Sequence, residues 1–289
     1  MGRKPRHRDM ICARCGEATL DNPCSHCGQS TVLDERYVLQ KILGTGSEGT
    51  TYRAQAIEGG KIVAVKEMPL RQAKDDKARE LLQREARILR QLHHQAIPDH
   101  LDDFIAGKGK TRAFYLVQEY IDGHTLASEL DDHRYDLAEV LAILDELLDV
   151  LVYLHRLSPP VIHRDIKPSN VMRRDDGRLV LIDFGSVRDA LVDLDVGGAT
   201  VTGTFGYMAP EQMMGDASEG SDLYGLGALA IRLLSRREPH TLLRHDRTLD
   251  WEPHVQTPRP IRQLLRSLLE PDPGKRKNDA SSRGRTTRH

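Results

Sequence analysis

Apolar and polar residues alternate along this chain with two different periods, and the period changes part-way. Residues 37–43 alternate as a strand, and the glycine run 44–49 follows. Residues 51–56 and 61–68 read as two more strands joined by a turn at Glu58, Gly59 and Gly60. Helical spacing appears from about 75 to 92, then a strand at 114–120. Residues 136–156 predict a long helix. Asp136 with Glu139 forms a capping box at its start, and Leu137, Val140, Leu141, Leu144, Leu148, Leu151 and Leu154 form its apolar stripe. Short strands at 171–172 and 179–182 flank Asp176 and Gly177, a hairpin signal. Beyond an irregular stretch, 221–234 predicts a mostly buried helix and 261–270 an amphipathic one. Strands dominate early and helices late. The expectation is therefore an α+β chain with a smaller strand-rich lobe, a larger helical lobe and a ligand cleft between them.

Composition narrows the partners. Charged residues make up 29% of the 289 residues and the formal net charge is −1, which argues against nucleic acid or an anionic membrane as the main partner. Met1 to Arg8 is basic, but no apolar stretch follows it as in a secretory signal. The most apolar segments, 140–154 and 225–234, carry charges or are too short for a bilayer. The expectation is a soluble, cytoplasmic protein.

Three segments carry candidate chemistry. Gly44, Gly46 and Gly49 let backbone amides approach a phosphate closely, although such a run also makes a flexible hairpin. Lys66 ends the strand Val63-Ala64-Val65, where a lysine ordinarily runs out to solvent. Glu85, however, falls within the apolar stripe Ala78, Leu81, Leu82, Ile88, Leu89 and Leu92. A buried carboxylate asks for a cation, and Lys66 is a candidate; the alternative is that Glu85 sits at the stripe's edge and reaches water. The third segment, His163 to Asn170, packs a base, two cations and an amide behind the long helix. A hairpin then leads to Asp183, Phe184 and Gly185, an acid at a strand mouth. Asp183 and Asn170 supply the carboxylate and amide oxygens that Mg²⁺ prefers beside phosphate.

Taken in order, Gly44 to Gly49, Lys66, Glu85, His163-Arg164-Asp165 to Asn170, Asp183-Phe184-Gly185 and Ala209-Pro210-Glu211 resemble the signature set of eukaryotic-type serine/threonine protein kinases, with a bacterial flavour. The resemblance implies the bilobal protein-kinase fold. It also implies transfer of the γ-phosphate of ATP, with Mg²⁺ or Mn²⁺, to hydroxyls of protein substrates. In that likeness Gly44, Gly46 and Gly49 cover the phosphates, and Lys66, held by Glu85, contacts them. Asn170 and Asp183 hold the metal, Asp165 accepts the substrate proton, and Lys167 steadies the γ-phosphate. Glu119 to Ile121 form the hinge to adenine, with Gln118 as gatekeeper behind it, and Ala64 and Met172 sandwich the base. Glu211 pairs with Arg276, and Asp222 holds the catalytic-loop backbone. Lys167 and the pair Gly203-Thr204 resemble serine/threonine rather than tyrosine kinases. Thr51 departs from the usual valine, and Glu48 adds a negative charge at the loop tip. Arg164 invites an activating phosphate, for which Thr200 and Thr202 are the best-placed acceptors. Alternatives are a pseudokinase scaffold, a small-molecule phosphotransferase, or a binding protein directed by the N-terminal segment.

That segment holds all four cysteines of the chain. Cys12-x-x-Cys15-Gly16 and Cys24-x-x-Cys27-Gly28 repeat one knuckle, a set suited to tetrahedral Zn²⁺. It resembles a short zinc ribbon; iron or a redox dithiol are the rivals, and His26 is a spare ligand. A module this small relies on its metal for folding energy, and it is a candidate docking site for a partner. The expected organisation is a basic tail at 1–9, the cysteine module at 10–30, a kinase domain at 31–280 with lobes at about 37–119 and 124–280, and a polar tail at 281–289.

Overall fold

The computed structural model describes residues 10–13, 15–46, 49–70, 86–184, 204–246 and 248–276, with Lys110 described by its backbone alone. They fall into two units: Met1–His93 with Pro98–Ile121, and His94–Ile97 with Asp122–His289.

The first unit opens with a ribbon of β1 (Met10–Ile11) and β2 (Ala18–Thr19), antiparallel with Met10 opposite Thr19. Six further strands follow: β3 (Val32–Leu33), β4 (Tyr37–Gly46), β5 (Gly49–Ala56), β6 (Ile62–Pro69), β7 (His100–Ala106) and β8 (Ala113–Glu119). They form one sheet in the order β3-β4-β5-β6-β8-β7 with every pair antiparallel. Successive side chains point to opposite faces. Val63 and Val65 therefore share one face of β6, and Ala64 and Lys66 the other. The Val65 face carries the core: Leu33, Tyr37, Leu39, Tyr52, Ala54, Tyr115 and Val117 are buried together, and Ile11 and Ala13 pack on them from the cysteine-bearing segment. Tyr37 stacks on Phe104 and Phe104 on Tyr115, at centroid separations of 5.8 and 5.3 Å.

The second unit contains β9 (Gly123–Thr125), α1 (Leu126–Asp132), α2 (Leu137–His155), β10 (Val171–Arg174), β11 (Leu179–Leu181), α3 (Glu219–Ser235) and α4 (Arg259–Leu268). The predicted capping box is present: Asp136 accepts from the Glu139 amide at 2.8 Å, and Glu139 accepts from the Asp136 amide at 2.7 Å. The apolar stripe of α2 needs correction. Its buried residues are Val140, Ile143, Leu144, Leu147, Val150, Leu151 and Leu154, whereas Leu137, Leu141 and Leu148 are only half-buried. The helix is leucine-rich nearly all round. The acidic residues Glu139, Glu146 and Asp149 set its solvent face, and the three displaced leucines lie on the flank shared with Asp145.

The buried helix expected at 221–234 is α3, buried almost continuously from Gly220 to Leu233. Its glycines allow close approach: a Cβ on Gly225 would stand 3.0 Å from Ile166 of the loop after α2, and one on Gly227 3.0 Å from Leu268 and Leu269. Pattern reading missed β3, β7, β9 and α1, which are short or carry acids. The acids of β7 are paired: Asp102 with Arg36 and the Tyr37 hydroxyl, Asp103 with Arg90 and His100. Of the predicted helix at 75–92, only 86–89 and the residues after it are described. Among the described residues, no helix is long and apolar enough to cross a membrane.

Candidate active site

In the second unit the chemistry-bearing loop hangs on one buried carboxylate. Asp222, in the first turn of α3, accepts from the backbone N–H of His163 at 2.9 Å and of Arg164 at 2.7 Å, and meets His155 Nε2 at 2.9 Å. Arg164 takes a left-handed φ of 69°, a strained conformation that these two bonds hold in place. Gln212 Nε2 donates to the Arg164 carbonyl at 2.7 Å, fixing the other side of the same residue. The His163 ring is wholly buried. It lies edge-on to Phe184 at 4.8 Å and 3.2 Å from the Ile182 carbonyl, and Nδ1 accepts from the Asp165 amide at 3.4 Å. These partners suit a neutral ring with the proton on Nε2, and burial pushes its pKa down.

Asp165 stands at the centre. Oδ2 accepts from Lys167 Nζ at 2.5 Å and from Asn170 Nδ2 at 2.9 Å; Oδ1 accepts from the Thr204 amide at 3.1 Å and the Thr204 hydroxyl at 3.0 Å. Lys167 Nζ also donates to Thr204 Oγ1 at 2.6 Å. One carboxylate, one ammonium and one hydroxyl are thus mutually bonded, with Asp165 only 9% exposed. Asn170 Nδ2 makes a second bond, to the Asp165 carbonyl at 2.9 Å, so its amide oxygen is the atom left over for another partner.

The hairpin of β10 and β11 brings Asn170 and Asp183 to one end of the unit. Val171 pairs with Leu181, and the Ile182 amide donates to the Asn170 carbonyl at 2.8 Å. Asp183 has a left-handed φ of 66°. An amide oxygen and a carboxylate at neighbouring strand ends fit the hard-oxygen donor set of Mg²⁺.

In the same unit, Glu211 and Arg276 form a buried fork: Nη1 to Oε1 at 2.7 Å, Nη2 to Oε2 at 3.1 Å. Burial raises the Glu211 pKa, but Arg276 and the Ser221 hydroxyl more than offset this and hold it below the usual carboxylate value.

In the first unit, Lys66 pairs with Thr51 and Leu116 across the sheet, and Ala64 with Gln118. Glu119 pairs with Val63, and its amide donates to the Asp99 carbonyl at 2.8 Å; Ile121 is buried. Gly49 sits at φ 151°, and a Cβ there would meet the Glu67 carbonyl oxygen at 1.8 Å, so the strand demands glycine. Gly44 and Gly46 differ: a Cβ on either would meet no atom of the described residues within 4 Å. Among the described residues nothing closes off these two positions, so their backbone stays open to approach. Beside Lys66, on the opposite face, Glu67 accepts from the Tyr52 and Tyr115 hydroxyls, each at 3.0 Å, tying β5, β6 and β8 together. Sequence reading missed Glu67, Gln212, Ser221 and His155, for which no motif spacing gave a signal. Met172 lies on β10, in the other unit from Ala64. Glu85, Glu48, Thr200, Thr202, Gly185 and Gly203 lie outside the described residues.

The four cysteines converge. Their Sγ atoms all lie within 4.8 Å of one another, with Cys12 to Cys27 at 3.6 Å and Cys15 to Cys24 at 3.8 Å. Both knuckles have the same backbone: Gly16 N–H donates to the Cys12 carbonyl at 2.9 Å and Gly28 N–H to the Cys24 carbonyl at 2.8 Å, with φ of 76° and 69°. Burial pushes the Cys24 thiol up, but the backbone N–H groups of Cys27 and His26 pull it down, to about 6. His26 is exposed and stands outside the cluster.

Comparison with known proteins agrees with this geometry. The family described as protein kinase domain matches residues 37–282, and the chain belongs to that family. Serine/threonine-protein kinase B of Synechocystis is 37% identical over 267 residues, covering 86% of this chain and 45% of that protein. Serine/threonine-protein kinase D of the same organism is 36% identical over 268 residues, covering 87% of this chain and 51% of that one. PknL of Mycobacterium tuberculosis, also named a serine/threonine-protein kinase, is 35% identical over 216 residues, covering 74% and 52%. The chain thus spans about half the length of these curated relatives.

Proposed function

We propose that this chain is a working serine/threonine protein kinase, moving the γ-phosphoryl group of Mg-ATP to serine or threonine hydroxyls of proteins. The observation that carries it is the bonded set of Asp165, Lys167, Asn170 and Thr204. Mg²⁺, when bound, neutralises phosphate charge, and Asn170 and Asp183 are its proposed holders. Asp165 orients the substrate hydroxyl and takes its proton as the oxygen–phosphorus bond forms and ADP leaves. Lys167 places a compact positive charge within reach of both that carboxylate and the phosphoryl oxygens. Gly44, Gly46 and Gly49 present amides to the phosphates, and Lys66, with Glu85 as its proposed partner, steadies them. Ala64, Thr51, Met172 and the stretch from Glu119 to Ile121 are proposed as adenine contacts. Thr204 stands in for the hydroxyl side of the reaction, since its own hydroxyl already bonds both Asp165 and Lys167. The proposal places the reaction in the cytoplasm, where ATP is supplied, and includes activation through Thr200 and Thr202.

The same proposal assigns Zn²⁺ to the cysteines. Zn–S bonds of about 2.3 Å in a tetrahedron put sulfurs about 3.8 Å apart. The separations of 3.6 and 3.8 Å fit that spacing.

Mg-ATP-dependent labelling of the protein itself and of a generic basic protein, beside Asp183→Asn, tests the reading. Phosphoserine or phosphothreonine from wild type alone supports it. No transfer by folded wild type carrying phosphate on its activation segment would shift the reading to a scaffold.

A further inference from the structure

The cysteine cluster lies next to the two residues that attach its segment to the catalytic sheet. Ile11 and Ala13 flank Cys12 directly, and both pack on the buried cluster of Leu33, Tyr37, Leu39, Tyr52 and Tyr115. Cys12 itself is 1% exposed, Met10 4%. The ribbon strand β1 packs on β4. After the last cysteine the chain returns to the same sheet: the Thr31 amide donates back to Asn22 Oδ1, between the two knuckles, at 3.0 Å, and β3 then pairs with β4, Leu33 opposite Tyr37. The segment is therefore tied to β4 on both sides of its ligands. It has too few apolar residues to hold those ties by its own core. The same strand β4 continues to Gly44 and Gly46, and it pairs with β5, which carries Gly49 and Thr51, with register shifts between Leu39 and Lys41 and between Ile42 and Gly44.

From this placement we infer that metal bound by the four cysteines is a brace for the phosphate-loop strands, so that metal loading sets the affinity of the domain for a nucleoside triphosphate. The inference rests on the metal reading of the cysteines above. Fixing Cys12 in the metal shell holds Ile11 and Ala13 against the aromatic face of the sheet. Releasing it frees both residues, exposes that face and lets β4 and β5 sample conformations in which the glycine amides no longer converge. Apparent affinity then falls in proportion to the fraction of molecules that keep the competent arrangement.

The experiment uses the full chain in three forms: as purified without chelator, stripped of metal by a chelator that is then removed, and as Ile11→Ser. Metal content, melting temperature and Mg-ADP affinity are measured on each. Expected are one metal per chain in the purified protein and in Ile11→Ser. The stripped form should melt about 5 °C lower or more. It should also bind Mg-ADP at least about threefold more weakly, and Ile11→Ser should move both readouts in the same direction with its metal still bound. Metal present, but melting and affinity indifferent to its removal, overturns the inference and leaves the metal reading standing. Absence of metal from freshly purified protein overturns the metal reading and the inference with it.

Discussion

Arg276→Met removes one side of a buried ion pair together with the carbonyl bonds of the same guanidinium. Arg276 lies in the second unit with its side chain fully buried, and every arm of the guanidinium is used. It forks onto Glu211, donates to the Gly220 carbonyl at 2.7 Å, and bonds the Glu270 carbonyl through Nε at 2.9 Å and Nη2 at 2.8 Å. Methionine fills much of the volume but leaves Glu211, 5% exposed, without its cation. Breaking a buried pair from one side costs about 3–5 kcal/mol. At about 2–4 °C per kcal/mol for a unit of this size, the melting temperature should fall by about 6–20 °C. Glu211 titrates below its ordinary 4.5 in the folded protein, so its contribution is present above pH 4.5 and is lost as pH falls through the folded value. The gap between wild type and Arg276→Met should accordingly narrow in acid. Thermal unfolding followed by circular dichroism at pH 7 and in acid reads both effects. Adding Glu211→Leu to Arg276→Met should recover part of the loss, because no buried charge then remains unpaired. A single variant melting within about 2 °C of wild type, or a double variant that merely sums its singles, would refute the reasoning.

Glu67→Leu removes the acceptor shared by the Tyr52 and Tyr115 hydroxyls, residues that are 9% and 3% exposed, and should cost about 1–3 kcal/mol through the two bonds lost. Its near-ultraviolet titration should also show Tyr52 ionising at lower pH than in wild type, where burial first and Glu67 second push it up to about 12. Gly49→Ala should weaken Mg-ADP binding by about tenfold or more, since the new methyl collides with the Glu67 carbonyl; binding within twofold would remove the steric argument. His163 is buried neutral with its pKa lowered below 6.5, so the unfolded chain takes up the extra proton and stability falls as pH drops from 6.5 toward the folded value. His163→Leu should lose less melting temperature than wild type between pH 7 and pH 5.5, and parallel slopes would exclude His163 as the source.

Legibility in the sequence followed the range of each interaction. Local signals were readable: the capping box of Asp136 and Glu139, the turn at Gly177 and the doubled cysteine knuckle each lie within a few residues, and each folds as expected. The burial of α3 was readable too, because the apolar run from Leu223 to Ile231 leaves no polar face. Sequence spacing could not show which side of α2 is deepest, since leucine appears on three sides and only packing chooses among them. Nor could it show β7, where Asp102 and Asp103 suggest a loop until Arg36, Arg90, Tyr37 and His100 are seen to pair them. In the site, Asp165, Lys167 and Asn170 were nameable from an eight-residue segment. Gln212 and His155, which stand 48 and 67 positions away from the partners through which they hold that segment, were not.

The supports of the loop around Asp165 explain how it tolerates strain. Arg164 and Asp183 both hold left-handed backbones, each a cost of order 1–3 kcal/mol. For Arg164 the offset is visible: two amides on Asp222 and one carbonyl on Gln212, all in short charge-assisted or amide bonds, with Asp222 fixed in a helix that glycines allow to lie against Ile166. Asp165 follows directly in sequence, and the further bonds that fix it use its amide, to His163, and its carbonyl, from Asn170, apart from its carboxylate. That separation lets Asp165 keep both oxygens for Lys167, Asn170 and Thr204, the groups that surround the reacting hydroxyl in the proposed mechanism. A loop anchored through the Asp165 carboxylate itself would have to give up one of those contacts to stay in place.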